Sequence, residues 1–364
     1  MSEIGFGAWA IGGSWGETDD DRSMAAMRAA VDAGVTFFDT ADVYGDGHSE
    51  RLIAALVRER SEPLFVATKF GRRGPQEVGQ YTYGNLRSWL ERSLENLGTD
   101  AVDLVQLHCP PWDAYYTPAV FEACDRLLEE GLVRAYGVSV EKVEEALKAI
   151  EYPGVSTVQI IFNIFRQRPA ELFFEQARLR DIGVIVRVPL ASGLLTGKFG
   201  RDTSFAADDH RAFNRHGEQF DVGETFAGVD FERGLEVVEE LRTLVPEGAT
   251  LAQVALRWIL GFDAVSTVIP GAKTPEQARS NAAAADLPAL PEDTLKTISE
   301  IYRIKESSQE AVSVISSLGS RIEAIGQIVG ELAAARSILP FHSDDFDRCM
   351  HHGFKSTLRS PIYL

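Results

Sequence analysis

The chain of 364 residues is long enough for one large α/β domain with an appendage, and its 45% hydrophobic content can supply a large core. Its formal net charge of −18, from 36 basic and 54 acidic residues, argues against nucleic acid or an anionic membrane as a partner. Every apolar stretch is too short for a transmembrane helix, so no membrane association is expected.

The cysteines predict a reducing compartment. Cys109, Cys124 and Cys349 are odd in number and none of them stands in a C-x-x-C spacing. Such a pattern is typical of reduced thiols in a cytoplasmic protein. The N-terminal segment has no basic region before its apolar residues, so a signal peptide is not expected either.

Short apolar segments alternate with amphipathic helical segments through most of the chain. Eight of the short segments are predicted strands, which read in chain order EIGFGAW, VTFFDT, LFVATKF, AVDLVQLH, VRAYGVS, STVQIIFN, GVIVRVP and VSTVIPG. They are apolar throughout instead of alternating with polar residues, as is typical of parallel strands buried on both faces. Glycines such as Gly34 and Gly183 stand where a helix ends before the next strand.

Eight β/α units indicate either a (β/α)8 (TIM) barrel or a doubly wound sheet. The number of repeats in a domain of this length favours the barrel, which we place at residues 1–304. The longest predicted connection, residues 200–230, is polar and contains glycines. A loop of this length is usually a lid or disordered, and at the C-terminal face of a barrel a lid is expected.

A set of ionisable residues stands at the ends of neighbouring predicted strands. Asp39 ends the second strand, Tyr44 lies in the loop that follows it, Lys69 ends the third strand and His108 ends the fourth. The C-terminal ends of barrel strands share one face, so these side chains are expected to converge. Singly, each has an ordinary structural alternative, such as a turn or a surface position. Their placement on three consecutive strands favours a site.

The chemistry of these four residues fits a proton donor. A tyrosine has a pKa near 10, which is too high for an efficient acid at neutral pH, and a nearby lysine is expected to lower it. An aspartate would orient that lysine, and a neutral histidine can donate a hydrogen bond to a carbonyl oxygen. Because side chains supply no hydride, a nicotinamide cofactor is implied.

Several motifs together resemble the aldo-keto reductases, specifically the branch that includes potassium-channel β-subunit-like reductases. The motifs FFDTADVYGDGHSE, VATKFG, DLVQLH, GVS, PLASGLLTGKF and VIPGAKTPEQARSN carry this resemblance, which covers about residues 3–303. It implies a barrel that binds NADPH without a Rossmann domain. It also implies that Asp39, Tyr44, Lys69 and His108 form the catalytic tetrad. GFGAWA, which matches the weak dinucleotide pattern G-x-G-x-x-A, is not followed by a helical pattern and is not counted as a cofactor motif.

The resemblance also implies where NADPH is held. The positions it assigns to the cofactor are Ser139, Gln159, Arg187, Leu190, Ser192, Gly193, Leu194, Lys198, Gly271, Lys273, Thr274, Gln277 and Asn281. Lys273 favours NADPH over NADH, because a 2′-phosphate needs a cation. Arg187 stands where the family usually has an aromatic residue that stacks on the nicotinamide, and an anionic substrate is an alternative role for it. Val140 stands where the family often has Asn, which leaves the cofactor preference open.

The function implied is the NADPH-dependent reduction of an aldehyde or ketone to an alcohol, with Tyr44 as the general acid. The substrate would be a small carbonyl compound in a pocket formed by Trp15, Trp112 and the loop of residues 199–230. The alternative is an NADP(H)-binding regulatory subunit whose turnover is incidental. No metal is expected at the site.

The last residues, 305–364, have no counterpart in the family and are predicted to be helical to about residue 337 and irregular beyond it. An a/d heptad pattern runs through Ile315, Leu318, Ile322, Ile325, Val329 and Leu332. This pattern indicates either a coiled coil that joins two copies of the chain or a helix packed on the barrel. The spacing of His342, Cys349, His351 and His352 matches no standard metal site.

Overall fold

The computed structural model describes residues 1–12, 19–219 and 221–303. Each strand pairs in parallel with the next strand along the chain. The strands are β1 Phe6–Gly7, β2 Phe37–Asp39, β3 Phe65–Phe70, β4 Leu104–His108, β5 Tyr136–Ser139, β6 Val155–Ile161, β7 Gly183–Arg187 and β8 Val265–Val268. All eight lie within the predicted segments, except that β6 begins one residue earlier.

The sheet closes on itself. The backbone N–H of Gly5 donates to the carbonyl of Val268 at 2.8 Å, and that of Gly7 donates to the carbonyl of Pro270 at 3.1 Å. These bonds join the first strand to the last one. The (β/α)8 barrel is therefore confirmed, and the doubly wound sheet is excluded.

Helices follow the strands around the outside of the barrel. They are α1 Asp20–Asp32, α2 His48–Glu59, α3 Tyr83–Leu97, α4 Pro118–Glu129, α5 Val143–Ala149, α6 Arg168–Leu172, α7 Phe174–Leu179, α8 His210–Phe213, α9 Phe231–Arg242, α10 Leu251–Ile259 and α11 Pro275–Ala282. Residues 292–303 are also helical. None of the described helices is both long and apolar enough to cross a membrane.

Side-chain caps determine where several of these helices begin. Asp19 accepts a hydrogen bond from the Arg22 backbone N–H at 2.8 Å and so caps α1. Thr250 and Gln253 form a capping box at the start of α10. Gly98, with φ 65°, ends α3 in the left-handed conformation that glycine adopts most readily. Such local signals place the helix ends, and hence the loops that face the strand ends.

A small apolar cluster fills the barrel interior below the predicted site. Phe37, Ala67 and three residues of other segments (Leu104, Ile185 and Ile269) form this cluster. Side chains two residues apart in a strand share a face, so Phe37 points to the same side as Asp39, and Ala67 to the same side as Lys69. The polar residues Asp39 and Lys69 therefore share their strand faces with residues of this apolar cluster.

Some predicted features lie outside the described residues. These are Trp15 and the whole predicted extension of residues 305–364, including its heptad pattern and its histidines. The first compact unit of the chain is Met1–Tyr302. The extension stays a prediction in every respect.

Candidate active site

The structure brings the four residues of the predicted tetrad together at the C-terminal end of the barrel. The Lys69 Nζ lies 2.5 Å from Asp39 Oδ1 and 3.4 Å from the Tyr44 hydroxyl. The His108 ring meets the Tyr44 ring edge-on, with centroids 6.0 Å apart. Three of the side chains come from the ends of β2, β3 and β4, as the sequence predicts. The loop after β2 supplies the fourth.

Asp39 holds this group together through its hydrogen bonds. Besides Lys69, it accepts hydrogen bonds on Oδ2 from the Nε2 atoms of Gln106 at 3.1 Å and Gln159 at 2.7 Å. Lys69 donates a further bond to the carbonyl of Thr40 at 2.8 Å. Burial lowers the pKa of Lys69, but the Asp39 carboxylate and the Tyr44 hydroxyl together raise it by more, so the pKa of the ammonium is raised. Lys69 is therefore a fixed cation beside the Tyr44 hydroxyl.

The pKa of Tyr44 differs in direction from the expectation. Burial raises it, while the Lys69 charge lowers it and the Asp39 charge raises it, so the net pKa lies above 10. The expected lowering by Lys69 is present but smaller than the effect of burial. Tyr44 therefore holds its proton at neutral pH, as a general acid must before it reacts.

His108 is uncharged in this environment. Burial, with the nearby charges of Arg72 and Lys69, lowers its pKa well below 6.5. Its Nδ1 atom is buried with no hydrogen-bond partner among the described residues. A neutral imidazole has one N–H to donate, which suits the polarisation of a carbonyl oxygen.

A cavity of about 700 Å³ extends from the tetrad across the top of the barrel. The predicted site residues that line it are Asp39, Tyr44, His108, Ser139, Gln159, Arg187, Leu190, Ser192, Gly193, Lys198, Gly271, Lys273, Gln277 and Asn281. Lys69 lies behind Tyr44 and is 1% exposed. The volume falls in the range of cavities that hold cofactors and small organic ligands.

Several residues of the loop after β7, where the sequence predicts the pyrophosphate, have a left-handed backbone. Val188, Ala191, Ser192 and Gly193 have φ values of 51°, 47°, 54° and 95°. Left-handed Val188 is a strained conformation for a β-branched residue. The N–H groups of Ala191 and Gly193 already donate to the carbonyls of Val188 and Leu190, at 3.1 and 3.0 Å. Ser192, Gly193 and Lys198 line the cavity, so the loop offers small residues and one cation to a pyrophosphate.

The segment after β8 is the second predicted position for a phosphate of the cofactor. Thr274 caps α11 by accepting a hydrogen bond from the Gln277 backbone N–H at 3.2 Å. Gln277 Oε1 in turn accepts from the Lys273 N–H at 2.7 Å, and Asn281 Nδ2 donates to the Gly271 carbonyl at 3.2 Å. A helix N-terminus beside a lysine is a suitable site for a phosphate. The cations Lys198 and Lys273, which line the same cavity, therefore fit the central pyrophosphate and the adenosine phosphate of a dinucleotide.

A sequence model of the Aldo/keto reductase family matches residues 3–303. The chain belongs to this family. The predicted resemblance is thereby confirmed, and so is the expectation of an oxidoreductase at the level of the family.

Known aldo/keto reductases are similar over most of the chain. One from Bacillus subtilis is 31% identical, covering 76% of this chain and 82% of that protein. One from Schizosaccharomyces pombe, whose name specifies NADP(+), is 27% identical and covers 82% of this chain and 87% of its own. A probable voltage-gated potassium channel β subunit from Oryza sativa is 27% identical, with 85% and 96% covered. This last similarity confirms the predicted branch of the family.

A solved structure shows the same fold. The glycerol dehydrogenase from Gluconobacter oxydans superposes with a TM-score of 0.68 at 30% sequence identity, covering 83% of this chain and 91% of that one. The similarity agrees with the barrel of this aldo/keto reductase. Glycerol is part of the name of that relative and is not assigned to this chain.

Two predicted cofactor residues of the aldo/keto reductase do not line the cavity. The Leu194 side chain is 0% exposed and packs in the main core. Thr274 acts through its cap on α11 and not through the cavity wall. Gln159 lines the cavity, but both hydrogens of its amide are engaged, by Asp39 Oδ2 and by Gln106 Oε1 at 3.2 Å. Only its carbonyl oxygen remains for a carboxamide.

Arg187 has partners that the sequence analysis missed. It forms a buried ion pair with Glu224 and donates to the carbonyl of Val140 at 2.9 Å. Glu224 partly balances the charge of Arg187, and the alternative role of Arg187 in binding an anionic substrate stays a prediction. Glu224 belongs to the long connection after β7, so this connection does contribute to the cavity. No local pattern in the sequence marks Glu224 as a residue of the site.

The aromatic wall of the cavity also differs from the prediction. Trp112 is 44% exposed, has ring contacts with Tyr115 and Tyr116, and is not among the lining residues. Trp9 lines the cavity instead and stacks on Tyr44 with ring centroids 6.3 Å apart. Its position just past the end of β1, at the same face as the tetrad, was the available signal.

Among the described residues, the side chains of Cys109, Glu141 and Glu224 lie close enough together to be considered as metal ligands. The carboxylates are already paired, Glu224 with Arg187 and Glu141 with Arg72, the latter at 3.0 Å. Burial also raises the pKa of the Cys109 thiol. We therefore interpret this group as a charge network of the aldo/keto reductase, not as a metal site.

Proposed function

We propose that the protein reduces an aldehyde or ketone to an alcohol with NADPH. One observation carries the proposal. A buried tyrosine hydroxyl, Tyr44, lies 3.4 Å from a lysine ammonium that is held by a carboxylate, and Tyr44 lines a cavity that Lys198 and Lys273 also line. The arrangement supplies an acid for a carbonyl oxygen and a site for a phosphate-bearing cofactor.

Each residue of the group has a separate role. Tyr44 donates its proton to the carbonyl oxygen as negative charge develops there. Lys69, fixed by Asp39, stabilises the phenolate that remains. The neutral His108 donates a hydrogen bond to the same oxygen and orients the substrate. A bound nicotinamide cofactor supplies the hydride to the carbonyl carbon.

The choice of NADPH over NADH rests on Lys273, which lines the cavity. Lys273 is partly buried beside the capped start of α11, and burial lowers its pKa. A cation there suits a 2′-phosphate, which only NADP(H) carries. The Schizosaccharomyces relative, named for NADP(+), supports the same choice. The affinity for NADPH is expected to exceed that for NADH by at least tenfold, as titration of protein fluorescence would measure.

The test is steady-state oxidation of NADPH with a panel of aliphatic, aromatic and hydroxylated aldehydes and ketones. Tyr44→Phe removes one hydroxyl group and should lower kcat by about 10²–10⁴-fold, because the acid is lost. The Kd for NADPH should stay within about twofold, since Tyr44 is assigned to the proton and not to the cofactor.

A matched control is Tyr116→Phe, because Tyr116 is 54% exposed and does not line the cavity. Its turnover should equal that of the wild type. Equal turnover in Tyr44→Phe and the wild type would exclude Tyr44 as the acid.

The regulatory-subunit alternative is supported by the similarity to the probable potassium channel β subunit of Oryza sativa. The two functions differ in the rate of cofactor exchange. A sensor should bind NADPH tightly, complete one turnover and then retain the oxidised cofactor, whereas an enzyme should exchange it at each cycle. Single-turnover and multiple-turnover rates on the same preparation separate the two cases.

A further inference from the structure

A second ion pair, Arg187–Glu224, is buried beside the tetrad. Each residue is 7% exposed. Arg187 ends β7 and is held by the carbonyl of Val140 at 2.9 Å, while the backbone carbonyl of Glu224 accepts from Ser192 Oγ at 2.8 Å. Both partners are thus fixed from a second side. Taking two charges out of water costs free energy, and such pairs often stand at functional sites.

This pair acts on the same space as the tetrad. Arg187 and Glu224 line the cavity together with Tyr44 and His108. The charge of Arg187 lowers the pKa of both Tyr44 and His108, whereas the charge of Glu224 raises that of Tyr44. The charges of the two partners therefore have electrostatic effects of opposite sign near the Tyr44 hydroxyl, where a carbonyl substrate would bind.

The nicotinamide ring changes its own charge in the reaction. It is uncharged in NADPH and carries one positive charge in NADP+. At an effective dielectric constant of about 20, a fixed charge about 8 Å away changes the relative affinity for the two forms by more than tenfold. A cation beside the ring disfavours NADP+, and an anion favours it.

We propose that the Arg187–Glu224 ion pair sets the ratio of the affinities of this site for NADP+ and NADPH. The inference rests on the proposed function, because it takes NADP(H) as the cofactor. Arg187 weakens the binding of the oxidised form and so promotes its release after reduction. Glu224 offsets this effect and keeps the ratio moderate.

The test is a titration of the whole protein with NADP+ and with NADPH, followed by protein fluorescence, without any carbonyl substrate. Glu224→Gln leaves Arg187 unopposed, so the ratio Kd(NADP+)/Kd(NADPH) should rise at least fivefold. Arg187→Met should lower the ratio. The double variant should lie between the two single variants, because the opposed effects are removed together.

Two controls separate charge from structure. Glu224→Asp keeps the charge and should return the ratio toward that of the wild type. The Kd for 2′,5′-ADP, which has no nicotinamide, should stay within about twofold in every variant that folds. If Glu224→Gln does not fold, Arg187→Met and the double variant still test the sign of the effect.

A ratio that is unchanged within about twofold in all charge variants, with 2′,5′-ADP still bound, would overturn the inference. A protein that binds both cofactor forms but reduces no carbonyl compound would contradict only the proposed function. A wild type that binds neither form would contradict both.

Discussion

At the scale of single residues, several titratable groups of this barrel have a pKa on which burial and a neighbouring charge act in opposite directions. Lys69 gains enough from Asp39 to stay charged, whereas Tyr44 keeps its proton because burial outweighs the nearby ammonium. The identity of these residues is evident in the sequence. How far burial and neighbouring charges shift each pKa depends on the assembled site alone.

Asp42 is a buried carboxyl group for which the effect of burial on the pKa exceeds that of the neighbouring cations. Its residue is 0% exposed and both carboxyl oxygens lack a hydrogen-bond partner among the described residues. Burial, with the Glu50 charge, raises its pKa from 3.8 to about 7, against the smaller effects of Arg73 and Arg92. The folded state therefore binds this proton more tightly than the unfolded state does.

Asp42→Asn is expected to change how stability depends on pH. In the wild type, the unfolding free energy should fall as the pH rises from about 4 to 7 and then level off, because only the unfolded carboxyl ionises freely. Asn does not titrate, so the variant should be more stable at pH 8, by at most about 4 kcal/mol, and no more stable at pH 4. Urea unfolding at both pH values measures this.

A control with the opposite sign is Asp46→Asn. Its carboxylate is exposed, and the hydrogen bond from Arg73 lowers its pKa. Loss of that group should remove stability above the pKa and leave the acidic range unchanged. If both variants shifted stability in the same direction at pH 8, the assignment for Asp42 would be wrong.

At the scale of elements, the strands β5 and β6 approach closely at one glycine. A Cβ atom on Gly137 would lie 2.1 Å from Thr157 Oγ1 and 2.4 Å from the Thr157 carbonyl oxygen. The register between the two strands shifts at the same place, between Tyr136 and Gly137. The backbone cannot yield there without disturbing the barrel next to Ser139 and Gln159.

Gly137→Ala should therefore destabilise the protein by about 1–3 kcal/mol through overpacking. Gly84→Ala is the matched control, because Gly84 lies in the first turn of α3 with nothing within 4 Å of an added Cβ. That change should be neutral or stabilising by up to about 1 kcal/mol. Thermal unfolding of the two variants side by side measures the contrast, and equal melting temperatures would contradict the close approach.

At the scale of the whole molecule, the family match ends at residue 303 and the first compact unit ends at Tyr302. A chain of residues 1–303 is expected to fold and to bind NADPH with the affinity of the full chain, since the described site needs no later residue. Its melting temperature and Kd for NADPH test this. A tenfold loss of affinity would show that the extension takes part in the cofactor site.

The same truncation tests whether the extension joins two copies of the chain. If the heptad pattern forms a coiled coil between two copies, the full chain is an oligomer and residues 1–303 are monomeric. Light scattering of both chains at several concentrations gives their masses. Equal oligomeric states would favour the alternative, a helix that packs within one copy.

The sequence by itself determined the barrel, the order of its strands and the four polar residues that meet at its C-terminal end. These follow from local signals, namely apolar segments of strand length, glycines at helix ends and polar residues directly after a strand. Only the tertiary structure decided that Glu224 meets Arg187, that Trp9 and not Trp112 lines the cavity, and that burial controls the pKa of Tyr44. Distance in the chain does not reveal which loop returns to which strand end, and burial exists only once the chain is packed.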